Sequence, residues 1–241
     1  MKHKVDIVLR THNNFALTDN CIRSLIANTT KNLYRLIIVD NGSDAPMRKY
    51  LNSLKKSIDN VVLILNSVNY GAVVASNQGM ERFLKDNKAK YIMILDNDTE
   101  FLKGDCDWLE RMLSYFDENT GAVGATSNKV SGYQSLRWAP FELECKFLIS
   151  FAMIMSRDAI LKTGKMDTLF NPGNFEDVDY TLRMREKGFD IKIAKDVFIH
   201  HHCHRTFEKI TNLEKLIQTN TWKFMTKWGE KTLQNLGLRV V

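Results

Sequence analysis

The chain holds only three prolines in 241 residues and has no low-complexity tract. That scarcity argues against disorder and long linkers. Its four cysteines, Cys21, Cys106, Cys145 and Cys203, are scattered and form no C-x-x-C pair. They read as reduced thiols, not as a disulfide framework or a zinc site. The longest apolar run, Phe147 to Met155, is nine residues interrupted by Ser150, whereas a membrane-spanning helix needs about twenty. The opening residues run straight into a strand pattern with no signal-peptide apolar core. No G-x-G-x-x-G follows the first strand; Arg10-Thr11-His12-Asn13-Asn14 stands there instead. No G-x-x-x-x-G-K-[ST] occurs either. A dinucleotide cofactor and a P-loop nucleotide hydrolase are therefore not expected. No internal repeat is present. These absences lead to the expectation of a soluble, cytoplasmic protein, with room for a peripheral contact with the inner face of the membrane.

What is present begins with charge. The net charge is +6, and residues 205–241 carry seven Lys or Arg against three Glu, so most of the excess lies there. Such a surface suits nucleic acid, anionic lipid or a phosphorylated substrate, and a solvated helix face explains it equally well. The length allows one large domain, or one domain with an appendage.

Along the first part of the chain, strands and helices alternate. Val5 to Leu9, Leu36 to Val39, Val61 to Leu65 and Tyr91 to Leu95 are short apolar runs bounded by polar residues, as buried strands are. Helices are expected over 16–28, 46–57 and 72–86. This order implies an α/β fold, a mostly parallel central sheet with helices on both faces. Farther on, Trp108 to Phe116 reads as a helix and Ala122 to Ala125 as a strand. Residues 127–146 read as a loop region near a site. Phe147 to Met155 reads as a buried strand, Arg157 to Thr163 and Tyr180 to Lys187 as helices, and Ile191 to Ile199 as one strand or two. Residues 207–236, with Phe207, Ile210, Leu213, Leu216, Ile217, Trp222, Met225 and Trp228, read as an amphipathic helical extension. The expected division is 1–204 as the main domain, with halves 1–98 and 99–204, and 205–241 as the extension.

Four places could carry chemistry. Asp96-Asn97-Asp98 follows the fourth strand directly. Side chains two apart on an extended chain share a face, so the two carboxylates could hold a hard cation that leaves room for phosphate oxygens. A strand-ending turn is the plain alternative. Asp40 ends the second strand, where open α/β sheets bind ligands, although Asp before Asn-Gly also makes turns. Glu176-Asp177-Val178-Asp179 precedes a helix; one helix cap explains one Asp, and the remaining carboxylates repel one another unless a ligand or cation is near. A carboxylate there can serve as a general base. Lastly, His200, His201, His202 and His204 give four imidazoles in five positions, suited to a borderline metal.

In this order the motifs resemble the family 2 glycosyltransferases of the GT-A fold, especially the rhamnosyltransferase-like bacterial members. The opening strand through Thr11 and Asn13 is similar, with Arg10 where proline is usual. Ile37 to Ser43 resembles the nucleoside-binding segment. Asn69-Tyr70-Gly71 and Asn77-Gln78-Gly79 resemble the turn and helix after the third strand. Asp96-Asn97-Asp98 resembles the DxD motif. Gly164-Lys165-Met166-Asp167 resembles the family's Gly-Gly-Phe-Asp with two departures. Phe175 to Arg183 resembles the acidic catalytic segment, and Ile199-His200-His201 the late histidine motif. Asn220, Phe224, Lys227 and Trp228 fit the helix that often follows.

The resemblance implies an inverting, metal-dependent transferase that uses a UDP-, dTDP- or GDP-sugar with Mn²⁺ or Mg²⁺. The implied acceptor is a saccharide, a lipid-linked saccharide or a protein glycan, and the implied setting is polysaccharide or glycoconjugate synthesis. Thr11, Asn13, Asp40, Asn69, Gly71, Asn77, Asp96 and Asn97 would bind the nucleotide-sugar. Asp98 and a late histidine, best His201, would hold the metal. Asp177 would be the base, supported by Glu176. Two other readings stand beside it. One is a nucleotide-sugar-binding protein without catalysis. The other is nucleic-acid binding through the basic extension, which is not expected because Trp222 and Trp228 read as packing residues.

Overall fold

A computed structural model describes residues 3–137, 144–203 and 213–238. Its eight strands are β1 (Val5–Thr11), β2 (Tyr34–Asp40), β3 (Val61–Leu65), β4 (Tyr91–Asp96), β5 (Thr99–Phe101), β6 (Thr120–Thr126), β7 (Ala152–Ser156) and β8 (Asp190–His201). The helices are α1 (Phe15–Ala27), α2 (Ala45–Ser57), α3 (Ala72–Leu84), α4 (Trp108–Ser114), α5 (Arg157–Thr163), α6 (Glu176–Glu186), α7 (Leu213–Trp228) and α8 (Glu230–Asn235).

The strands form one sheet in the order β3-β2-β1-β4-β7-β6-β8-β5. β3, β2, β1 and β4 are parallel. β7 runs antiparallel to β4 and β6, β6 is parallel to β8, and β5 is antiparallel to β8. Every residue of β1 and β2 is buried, which is why they read as continuous apolar runs: helices cover both faces of a parallel sheet. The chain winds outward from β1 through β2 to β3, then returns to place β4 on the other side of β1. That reversal opens a crevice at the carboxyl ends of the strands. Register brings Thr11 beside Asp40 and Arg10 beside Asp96 at that edge.

One apolar cluster packs α1, α2 and α4 on one face, and a second packs α3, α5 and α6 on the other. A third joins Phe147, Phe170 and Val178 to Phe224, Leu233 and Leu236 of the C-terminal helices.

Several expected boundaries move. The run Phe147 to Met155 is strand only from Ala152. The ladder with β4 ends with Leu95 opposite Ala152 and one further bond from Asp96 N–H to the Phe151 carbonyl (2.9 Å). The residues before it bond elsewhere: Ile149 N–H donates to Gln134 Oε1 (2.6 Å) and Ser150 N–H to Asp177 (3.1 Å). α6 starts at Glu176, not Tyr180, so the acidic segment is its first turn, where carboxylates complement the helix dipole. The short strand β5 had no periodicity to reveal it. Among its described residues, 213–238, the extension is two helices broken at Gly229, whose φ of 83° suits glycine. Phe224 and Leu233 are fully buried, so these helices belong to the body of the fold. Phe207, Ile210 and His204 lie outside the described residues. Among the described residues no helix is long and apolar enough to cross a membrane.

Candidate active site

At the crevice lies a cavity of about 750 Å³, a volume suited to a ligand the size of a nucleotide-sugar. Thr11, Asn69, Gly71, Asp96, Asn97, Asp98, Glu176, Asp177 and His201 all line it. These residues come from five separate stretches of chain.

The Asp96, Asp98 and His201 side chains place ligand atoms within 4.8 Å of one another. Asp96 closes β4, residues 97–98 form a turn, and β5 then pairs with β8, setting Thr99 opposite His201. The shared face of the two carboxylates thus comes from a turn, not from an extended strand. Asn97 points away, donating to Thr18 Oγ1 (2.7 Å). His201 Nδ1 bonds the Lys129 carbonyl (2.9 Å), and Nε2 faces Asp98 (3.1 Å). With Nδ1 donating to a backbone carbonyl, Nε2 is the nitrogen turned to the carboxylates; it donates to Asp98 here, and a bound cation would take the place of that proton. One imidazole nitrogen and two carboxylates form a donor set that fits Mn²⁺ or Mg²⁺ with open positions.

Charge balance here is tight. Burial pushes the Asp98 carboxyl up, but the His201 bond and charge outweigh it and hold it below its usual value. Asp96 is raised, mainly by burial and by Asp98, against the pull of Arg10. Burial lowers His201, but the two aspartates outweigh it and raise the imidazole. Arg10, read from sequence only as a departure from proline, sits in the centre. Its guanidinium pairs with Asp96 and donates to Ser76 Oγ (3.1 Å).

A polar wall rises on the β1–β3 side. Asn41 Nδ2 donates to Asn69 Oδ1 (2.8 Å) and the Gly71 carbonyl (3.1 Å), while its Oδ1 accepts from Tyr70 N–H (3.0 Å). Gly71 has φ 90°, and a Cβ there would collide with Asn171. Asp40 is fully buried behind this wall; one oxygen accepts from Ser43 N–H (3.4 Å) and Oδ1 has no hydrogen-bond partner. Neither Asp40 nor Asn13 is among the residues that line the cavity; the Asn13 amide oxygen is taken by Asp44 N–H (2.9 Å). Asn77 is different. Its side chain exchanges two bonds with the Met166 backbone, at 2.9 and 3.0 Å, which ties α3 to the loop after α5. Both of its polar groups are thereby used, and it lies outside the cavity lining.

Across the cavity, Glu176 and Asp177 open α6. Asp177 accepts from Ser150 N–H (3.1 Å) and Val178 N–H (2.8 Å). Glu176 Oε2 is buried with no hydrogen-bond partner. Burial first, then the Asp177 charge, pushes the Glu176 carboxyl up to about 8. Burial also raises Asp177, against its two N–H donors and Arg10. Two adjacent buried carboxyls cannot both ionise cheaply, so the pair favours keeping a proton. The N–H donors favour charge on Asp177.

Asp179, the third acid, faces the other way. It accepts from Trp228 Nε1 (2.9 Å) and pairs with Arg183 (2.9 Å) and Lys227 (2.6 Å). Asn220 Nδ2 reaches the carbonyls of Phe170 (3.1 Å), Gly173 (2.8 Å) and Asn174 (3.1 Å). α7 therefore grips the loop that delivers Glu176. That grip pairs residues about fifty positions apart, so periodicity could not reveal it. His12 and Asn41, inside the quoted motifs but given no role of their own, also line the cavity, as do Lys129 from the loop expected near a site and Ser150.

The family model described as glycosyl transferase family 2 matches residues 6–187. This chain belongs to glycosyl transferase family 2. The matched region runs from β1 to the residue after α6, so it contains Asp96, Asp98, Glu176 and Asp177 but not His201. Glycosyltransferase AglE of Haloferax volcanii is 22% identical over 221 residues, 83% of this chain and 66% of that protein. The poly(ribitol-phosphate) beta-glucosyltransferase of Bacillus spizizenii is 34% identical over 96 residues, 39% of this chain and 15% of that protein. The chain thus spans just under two thirds of the first relative and a small part of the second. Among solved structures, the mannosyltransferase PcManGT from Pyrobaculum calidifontis, in complex with GDP-Man and Mn²⁺, superposes with a TM-score of 0.68 at 12% identity, covering 98% of this chain and 74% of that one. S. aureus TarS in complex with UDP-GlcNAc gives 0.67 at 12% identity, covering 92% and 66%. These likenesses fix the fold as GT-A.

Proposed function

We propose that this family 2 enzyme is an inverting, metal-assisted transferase that moves a sugar from a nucleotide-diphospho-sugar to an acceptor hydroxyl. One observation carries the reading: two acidic centres of different character line one cavity. The first, Asp96, Asp98 and His201, has the donor set for a divalent cation. The second, Glu176 and Asp177, holds a carboxylate beside a protonated carboxyl.

Asp98 and His201 would hold Mn²⁺ or Mg²⁺, with Asp96 on the ribose or on metal-bound water. The cation, when bound, would neutralise charge on the leaving diphosphate. The nucleoside would lie against Thr11, Asn69, Gly71 and Asn97. Asp40, fully buried and outside the cavity lining, would support the polar wall from behind. Asn77 would act at a distance, by fixing α3.

Asp177 would take the proton of the acceptor hydroxyl. The acceptor oxygen then bonds to the anomeric carbon as the bond from that carbon to the diphosphate oxygen breaks. The electron pair leaves with the nucleoside diphosphate. One displacement at that carbon inverts its configuration. A sugar hydroxyl is a weak nucleophile and needs such a positioned base. Glu176, protonated at neutral pH, would donate to the acceptor. The structural neighbours bind GDP-Man and UDP-GlcNAc, so hexose donors are the first to try.

Thermal shift against a UDP-, GDP- and dTDP-sugar panel tests the reading, because a bound ligand raises apparent stability. A Mn²⁺-dependent shift with one donor family, followed by release of its nucleoside diphosphate, is expected. No shift and no release with any donor would sink it.

A further inference from the structure

The cavity has two chemical ends. Arg10, Thr11, Asn41, Asn69 and the metal-site aspartates make one end polar. The other end starts at Val178, next to Asp177, and continues through Val130, Phe147, Ile149, Ile217 and Leu238. None of these six side chains has a hydrogen-bonding atom. Phe147, Val178, Ile149 and Leu238 belong to the third apolar cluster, and Val130 packs on the first. Val130, Ile149, Ile217 and Leu238 are only partly buried among the described residues.

An acceptor must bring its hydroxyl to Asp177, so its remainder lies beside Val178. A bare sugar carries hydroxyls on every edge, and each needs a polar partner once water is excluded. This wall supplies none. A hydrocarbon chain loses nothing there and gains by leaving water. The helix that sends Ile217 into the cavity carries a second sign on its outer side. Trp222 is 64% exposed, with Lys215 exposed on the same helix and Lys223 holding the Leu169 carbonyl (2.8 Å). An exposed Trp among lysines is complementary to an anionic lipid surface.

We propose that the acceptor hydroxyl is carried on a lipid, whose hydrocarbon chain lies along the Val178–Ile149–Ile217–Leu238 wall. This rests on the transferase reading above and narrows it to one acceptor class.

The test uses the full chain. Methyl, butyl and octyl β-glycosides of glucose, galactose, mannose and N-acetylglucosamine are titrated by calorimetry, below micelle-forming concentrations, with and without UDP and Mn²⁺. At least one octyl glycoside should bind about tenfold or more tightly than its methyl partner, since a fully buried methylene multiplies affinity roughly fourfold. Ile217→Ser and Leu238→Ser should shrink that octyl-to-methyl ratio about fivefold. Affinity independent of chain length in the wild-type protein overturns the proposal, as does octyl binding nowhere in the panel. A parallel assay of nucleoside diphosphate release keeps the two readings apart. Release without a chain-length effect leaves the transferase standing and removes the lipid acceptor. Chain-length-dependent binding with no release from any donor removes both.

Discussion

The two acidic centres are made of the same residue types yet differ in what surrounds them. Asp96 and Asp98 face a guanidinium and an imidazole whose far nitrogen is already fixed. Asp177 accepts from the Ser150 and Val178 N–H groups, whereas Glu176 is buried with Oε2 left without a hydrogen-bond partner. Opposite charge near the first centre keeps Asp98 ionised, the state a cation needs. Burial at the second keeps one proton on the pair, the state that acid and base work needs. Protonation, not residue identity, separates the two tasks.

The sharpest way to break this comparison is to disable one centre and ask whether the other survives. Asp177→Asn should cut transfer about 10³-fold, near the usual worth of a general base, while thermal stability stays close to wild type. Transfer within a few fold of wild type would move the base elsewhere. At the other centre, Asp98→Asn should weaken apparent Mn²⁺ affinity about 10²-fold, as losing a ligand does at least as much harm as losing its support. A Mn²⁺ titration of turnover reads this directly.

Smaller changes sharpen it. Asn220→Ala removes the amide that holds three loop carbonyls and should cost about 2 kcal/mol of stability, seen in urea unfolding. Because that loop leads into Glu176, turnover should fall while Mn²⁺ affinity holds. An equal loss at both centres would mean that α7 serves the whole fold and not the acid pair.

The smallest expected effect is a pH effect. Glu176 has its folded value raised from 4.5 to about 8, so folding is favoured by its proton. That contribution is complete below about pH 4.5, shrinks as pH rises toward 8, and is gone above it. Glu176→Gln cannot ionise. Its melting temperature relative to wild type should climb between those limits, by the equivalent of about 1–3 kcal/mol. A flat difference across that window would mean that Glu176 is ionised at neutral pH.

The parallel half was readable because its strands are buried on both faces and therefore uniformly apolar. Asp96 and Asp98 were readable as a pair, though for a turn rather than a strand. Residues 147–151 misled because their apolar side chains line a cavity instead of a sheet, and composition does not distinguish the two. Arg10 showed only as an unusual residue; its place between both centres depends on the register of β1 with β4. Asn220, Lys227 and Trp228 were placed on a helix, but their grip on the catalytic loop is a long-range contact that no local spacing encodes. Asn77 kept its place in the motif pattern while its side chain is used to tie α3 to the Met166 backbone.

The division of labour is tested most directly by nucleoside diphosphate affinity, with and without Mn²⁺, in wild type, Asp98→Asn and Asp177→Asn. Mn²⁺ should tighten binding to wild type and Asp177→Asn alike, and should do nothing for Asp98→Asn. A Mn²⁺ response lost in Asp177→Asn, or kept in Asp98→Asn, would contradict the account.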